Sequence, residues 1–272
     1  MVCAKIIKVM TEYLALRKGK NVLSSAMHVL LNLLLAVAST VLTVISGNWI
    51  FGVLLVVLSK WRVIAVRPRY WWTNIKSNLV DFVVGISLVL LVFFSGTDTV
   101  SAWHIILTAI YAIWLVVIKP QTSIAFVQIQ AFFAIFFGSF AATLATAHID
   151  PLLGSVVGFI VGFSACRHVL IQTDDRDFTM TTFISGILLA ELSWIFYHWS
   201  IVYRIQALGT VISIPQLPIA ASLVFFVFTR GYSSALRHDG KIRAEDIVMP
   251  VVFSAMLMLV MVFFFSKASF DV

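Results

Sequence analysis

A carboxylate deep in an apolar stretch is the first place to look for chemistry in this chain of 272 residues. Glu191 is the one acidic residue near the middle of such a stretch, within an expected helix from Phe178 to Tyr203. A charge at that depth in a bilayer is costly and marks, by default, a functional site or a buried pair. Trp194 and His198 follow at i+3 and i+7, on the same helix face. Seven residues separate Glu191 from His198 by ~10 Å, too far for contact but suited to bracketing a ligand or water chain. The competing reading is a protonated Glu191 hydrogen-bonded to a neighbouring helix, for example to Asn32, Gln128 or Gln130. Just downstream, Gly209, Pro215 and Pro218 crowd the segment 209–218, which reads as a broken or delayed helix start. Such a segment could border one cavity with the Glu191 helix. Glu191, Trp194, His198 and Gln216 are therefore the candidate substrate-binding residues.

Three histidines, His104, His148 and His198, fall on one side of the expected topology, together with Asp98 and Asp150. That donor set suits transition metals or haem. Shared side alone is thin support, so interfacial hydrogen bonding is the preferred reading and no cofactor is expected. The run Thr173-Asp174-Asp175-Arg176-Asp177 lacks the second acidic cluster of a magnesium–diphosphate site and reads as a helix-capping loop. Asp81, in the first turn of its helix, is favoured there by the helix dipole and needs no catalytic role. Every lysine sits at a span end or in a loop, which excludes a mid-membrane Schiff base. No Walker loop, His-Glu-x-x-His or Cys-x-x-Cys-His motif is present. Gly162-Phe163-Ser164-Ala165 lacks the last glycine of an intramembrane serine-protease motif, and Ser164 and His198 fall near opposite faces.

The elements that must position these residues follow from composition. Hydrophobic residues make up 61% and charged residues 11%, against about 45–50% and about 25% in soluble domains. That excludes a soluble enzyme, a nucleic-acid reader and a secreted disulfide scaffold. The expected fold is all-α: a polytopic integral membrane protein of about nine spans. They fall near residues 22–46, 48–66, 78–95, 100–118, 122–147, 151–170, 178–203, 213–236 and 248–266. Residues 1–20 read as an amphipathic interfacial segment, with Ile6, Met10, Tyr13 and Leu14 at helical spacing among Lys5, Lys8, Arg17 and Lys18. A full-length span follows it, unlike a cleaved signal. The transmembrane domain then covers 21–267, and 268–272 form a short outer tail.

Charge sets the orientation. With the amino terminus inside, 17 of the 19 basic residues lie in inner segments; only Arg204 and Lys267 do not. The pattern predicts N-in, C-out, in a plasma-type membrane. The net charge of +7 then faces anionic headgroups rather than nucleic acid. Arg67-Pro-Arg69-Tyr-Trp71-Trp72 reads as an interfacial lipid anchor. Cys3 and Cys166 both fall on the reducing side, so no disulfide is expected.

Small residues mark helix packing. Ala134, Gly138, Ala142 and Thr146 repeat at four-residue spacing in one span, and Gly154, Gly158, Gly162 and Cys166 in the next. The tight turn His148–Pro151 makes these spans antiparallel neighbours, with facing stripes that permit close approach. The loops are too short to hold a soluble core. Function is expected in the membrane: binding or transport of a small or amphipathic solute, ahead of a structural or interaction subunit. A third possibility is an intramembrane enzyme on lipid-linked substrates. A membrane-protein partner or a homo-oligomer fits the second reading.

Overall fold

The computed structural model describes residues 22–96, 100–147, 149–171, 178–199, 201–207 and 210–265. The amphipathic segment 1–20, the tail 268–272, Asp98, His148 and the aspartate run 173–177 lie outside the described residues.

Helix α1 (Val22–Ser46) ends at Gly47, whose φ of 59° is readily available to a residue without a Cβ. Helix α2 (Trp49–Ser59) starts at once, because the Asn48 side chain accepts from the Ile50 N–H at 2.9 Å and caps it. One helical turn, α3 (Trp61–Ile64), and a 3-10 turn (Pro68–Tyr70) lead into α4 (Trp71–Ser77). Helix α5 (Leu79–Phe94) follows, and the chain bends by 68° between Pro68–Ser77 and α5. Helix α6 (Ala102–Ile113) runs into a π turn (Trp114–Ile118), and α7 (Ile124–Thr146) comes next. Asp150 accepts from the Leu152 N–H at 2.6 Å and Pro151 opens α8 (Pro151–Leu170), so α7 and α8 form a hairpin. Helix α9 (Phe178–His198), strands β1 (Val202–Ala207) and β2 (Thr210–Pro215), α10 (Gln216–Arg237) and α11 (Ala244–Val260) complete the order. A second π turn, Met261–Phe265, follows α11.

Among the described residues six helices are long and apolar enough to cross a bilayer: α1 from Ser24, α7, α8, α9, α10 and α11. A seventh is reached if the bent pair ending in α5 counts as one. These helices mark a membrane protein. Helices α2 and α6 are apolar but shorter.

The antiparallel hairpin β1–β2 is the departure from an all-helical chain. It stands where a delayed helix start was expected, so α9 stops at His198 and α10 begins only at Gln216. Pairing runs from Val202↔Pro215 to Ala207↔Thr210. Both arms are rich in β-branched residues, which suit a pleated surface better than a helix. Pro215 closes the ladder where a missing N–H does no harm, and its extended backbone leads into α10. Tyr203 is fully buried, and Ile214 packs on the core.

Helix α7 sits at the centre, against α5, α8 and α10, while α5 also meets α1, α2, α6 and α8. The core between them is apolar and aromatic: Trp114 stacks on Phe133 at 5.6 Å, and Phe137 follows at 5.4 Å. Helix α9 leans chiefly on α8, and α11 on α10, so each keeps a broad outer face.

The small-residue stripes do bring helices together, but with a different partner. A Cβ on Gly138 would lie 2.9 Å from Val161 of α8 and from Val83 of α5. On Gly162 it would lie 2.6 Å from the Ser185 carbonyl oxygen, and on Gly158 3.0 Å from that of Leu189. Gly158 and Gly162 thus face α9, not α7. Only Gly154 points back to α7, where Thr146 approaches within 3.0 Å of a built Cβ. Ala142 is buried in α7.

Candidate functional site

Helix α9 holds Glu191, Trp194 and His198 on one face, as the spacing requires, and that face is turned outward. All three side chains are exposed, and the Trp194 and His198 rings meet edge to face at 5.1 Å. Ile184, Ile187, Leu188 and Ile195 surround Glu191 on the same exposed face. Glu191 has no hydrogen bond or ion pair among the described residues. Two of the partners considered for it are committed elsewhere: Asn32 donates to the Leu115 carbonyl at 3.5 Å, and Gln130 binds His168. Gln216 is buried at the start of α10. The apolar cleft between α9 and α10 is lined by Leu188, Leu192, Val224 and Phe228, and by none of the four expected residues.

Of the three histidines, His104 is buried and serves as a cap. Its Nδ1 accepts from the Ser101 N–H at 2.9 Å, which leaves Nε2 to donate to Ser95 Oγ, also at 2.9 Å. The Ser95 hydroxyl passes its own proton to the Val92 carbonyl at 2.7 Å. His104 therefore ties the start of α6 to the end of α5. Among the described residues no group of three His, Cys, Asp or Glu side chains could hold a metal ion.

The densest polar cluster lies at the other end of these helices, and sequence reasoning did not assemble it. Asp81 Oδ2 accepts from Lys60 Nζ at 2.8 Å and from Lys119 Nζ at 2.7 Å. Lys60 follows α2, Asp81 opens α5, and Lys119 follows the π turn after α6, so one carboxylate gathers three helix ends. Lys60 and Asp81 are 8% and 11% exposed, which leaves little water to screen the pairs. Beside them Gln130 donates through Nε2 to the carbonyls of Ile118 at 2.8 Å and Gln121 at 2.9 Å. These carbonyls flank the end of the π turn, where backbone oxygens would otherwise go unpaired. With its amide nitrogen so used, Gln130 presents Oε1 to His168 Nε2–H at 2.6 Å, which fixes the neutral ring's tautomer.

His168 in turn lines a cavity of about 160 Å³ between the start of α5 and the end of α8. Lys76, Ser77 and Val80 form one wall, Ser164, Arg167 and His168 the other. Nearby, Arg67, Arg69, Trp71 and Trp72, the expected interfacial anchor, occupy the exposed turn and helix before α5. Arg69 donates to the Tyr70 hydroxyl, Lys76 lies 4.7 Å over the Trp72 ring, and Trp71 Nε1 donates to the Val66 carbonyl at 2.9 Å. The missed signal was depth: Lys60, Asp81 and Lys119 each sit at the end of an apolar stretch, on one side of the expected topology.

No family model, curated protein or solved structure matches this chain.

Proposed function

We propose that this chain is a plasma-type membrane protein of nine spans, N-in and C-out, that acts by binding another membrane protein through the outer face of α9. What supports the reading is the exposed Glu191, unpaired among the described residues and midway along an apolar helix face. A charged side chain at the centre of a bilayer costs about 2.5–3.5 kcal/mol on insertion scales. A hydrogen-bond donor on a neighbouring helix recovers about 0.6–2 kcal/mol of that. A group that expensive, turned away from its own bundle, is accounted for by an occupant that meets it. The occupant is a membrane-spanning helix of a partner protein that presents a donor at Glu191 depth, with Trp194 and the flanking isoleucines as its packing surface.

Native mass spectrometry of the protein, extracted with its own lipids, tests this directly. A second polypeptide in fixed ratio is expected, lost in Glu191→Leu and retained in Glu191→Gln, whose amide still accepts. A doubled mass with the same dependence would make the partner a second copy. A bare single-chain mass, together with solute flux that Glu191→Gln abolishes, would replace this reading with transport.

A further inference from the structure

The cavity between α4–α5 and α8 has a chemistry of its own, independent of the α9 face. Two cations line it, Lys76 and Arg167, and no acidic side chain among the described residues pairs with either. Arg167 Nε is buried without an acceptor, although its guanidinium carbon lies 5.6 Å over the Phe178 ring. A buried guanidinium N–H without a partner is costly, and a charged acceptor is its strongest remedy. Among the described residues Lys76 is held only by the face of Trp72. Asp81 is already shared by Lys60 and Lys119, which leaves that neighbouring cluster with a net positive charge. Among the described residues no acidic side chain lines the cavity.

The donors also define what fits. The hydroxyls of Ser77 and Ser164 give their protons to the carbonyls of Thr73 and Val161, both at 2.9 Å. His168 gives its Nε2–H to Gln130. That leaves the Arg167 fork and the Lys76 ammonium, a planar donor beside a point charge, which is the pairing used to hold phosphate. A volume of about 160 Å³ accepts a phosphate group but is well under the ~300 Å³ of a pocket for a drug-sized molecule. The cavity adjoins the bend at Asn78, between a short aromatic helix preceded by Arg67 and Arg69 and a long apolar one, a pattern that suits phospholipid headgroups.

We propose that Lys76 and Arg167 form a binding site for a phosphate group, carried by an anionic phospholipid whose chains lie along α5 and α8. Purified full-length protein in detergent is titrated with phosphatidic acid, phosphatidylcholine and inorganic phosphate, and bound species are read by native mass spectrometry. Phosphatidic acid is expected to bind at least tenfold more tightly than phosphatidylcholine. That preference should fall at least tenfold in Arg167→Gln and in Lys76→Gln, and persist in Lys241→Gln, an exposed cation elsewhere. Inorganic phosphate that displaces phosphatidic acid at equal concentration would support the phosphate site and make free phosphate its occupant. Lys76 is only half-buried on a short surface helix, so Lys76→Gln tests the site even if Arg167→Gln fails to fold. A folded Lys76→Gln protein with undiminished preference overturns the proposal.

Discussion

Asp81 shows how much one side chain can organise. Two ammonium groups share a single carboxylate oxygen, and without it Lys60, 8% exposed, would be a stranded charge beside apolar helices. Removing one member of a buried ion pair costs about 3–5 kcal/mol, because the other is left uncompensated. Asp81→Asn is therefore expected to lower the thermal unfolding midpoint in detergent sharply. Lys119, 37% exposed, forms the better solvated pair, so Lys119→Gln should cost less than about 1 kcal/mol of stability and shift the midpoint far less. Equal midpoints for the two variants would show that the carboxylate is not what holds these helix ends. Read residue by residue, the sequence accounts for Asp81 by the helix dipole and for Lys60 as one more lysine at a span end. Both accounts are local. The pairing joins positions 21 and 38 residues apart from Asp81, and no pattern along the chain encodes that distance. Glu191 is the converse: its face was legible from helical spacing, but whether that face looked inward or outward depended on which helices surround it.

At the scale of elements, apolar periodicity and caps located the helices within a few residues, because burial and backbone satisfaction in lipid permit little else. The hairpin escaped because Gly209, Pro215 and Pro218 were read as helix breakers, while the β-branched run Thr210, Val211, Ile212 and Ile214 between them carried the stronger signal. The glycine stripe of α8 was legible as a packing face, but not its partner. Adjacency in sequence suggested α7, whereas α9 takes most of that stripe. The consequence is a sharp difference between positions. At Gly162 an added side chain meets the Ser185 carbonyl, part of the α9 backbone, which cannot swing aside. Gly162→Val is expected to destabilise by about 1–3 kcal/mol and to loosen α9 from α8. At Gly231 the nearest atom is the end of the Ile247 side chain at 3.4 Å, so Gly231→Ala should be tolerated. Thermal unfolding of the two variants, with limited proteolysis at the α8–α9 connection, separates local loosening from global loss.

At the scale of the whole molecule, tertiary contacts bear on the proposed topology independently of charge counting. Lys60, Asp81, Lys119, Gln130 and His168 come from the ends of successive elements, yet they meet at one level. At the opposite end, Ser95 meets His104, and Thr146 meets Gly154. Helices α5, α6, α7 and α8 thus run alternately between two levels, as four consecutive spans would, even though α6 is short. The ionic cluster lies on the level of Lys76 and Arg167, and in the proposed orientation that level is the cytosolic one. A single added or missing span before Lys60 would send the cluster, the phosphate cavity and the aromatic anchor to the outer surface together. Cysteines placed in a Cys3→Ser, Cys166→Ser background read this out. Lys241→Cys, between α10 and α11, is expected to react with a membrane-impermeant maleimide only after cells are opened. Arg204→Cys, in the hairpin after α9, is expected to react in intact cells. The reverse pattern would invert the protein, and labelling of both from one side would remove α10 from the count of spans.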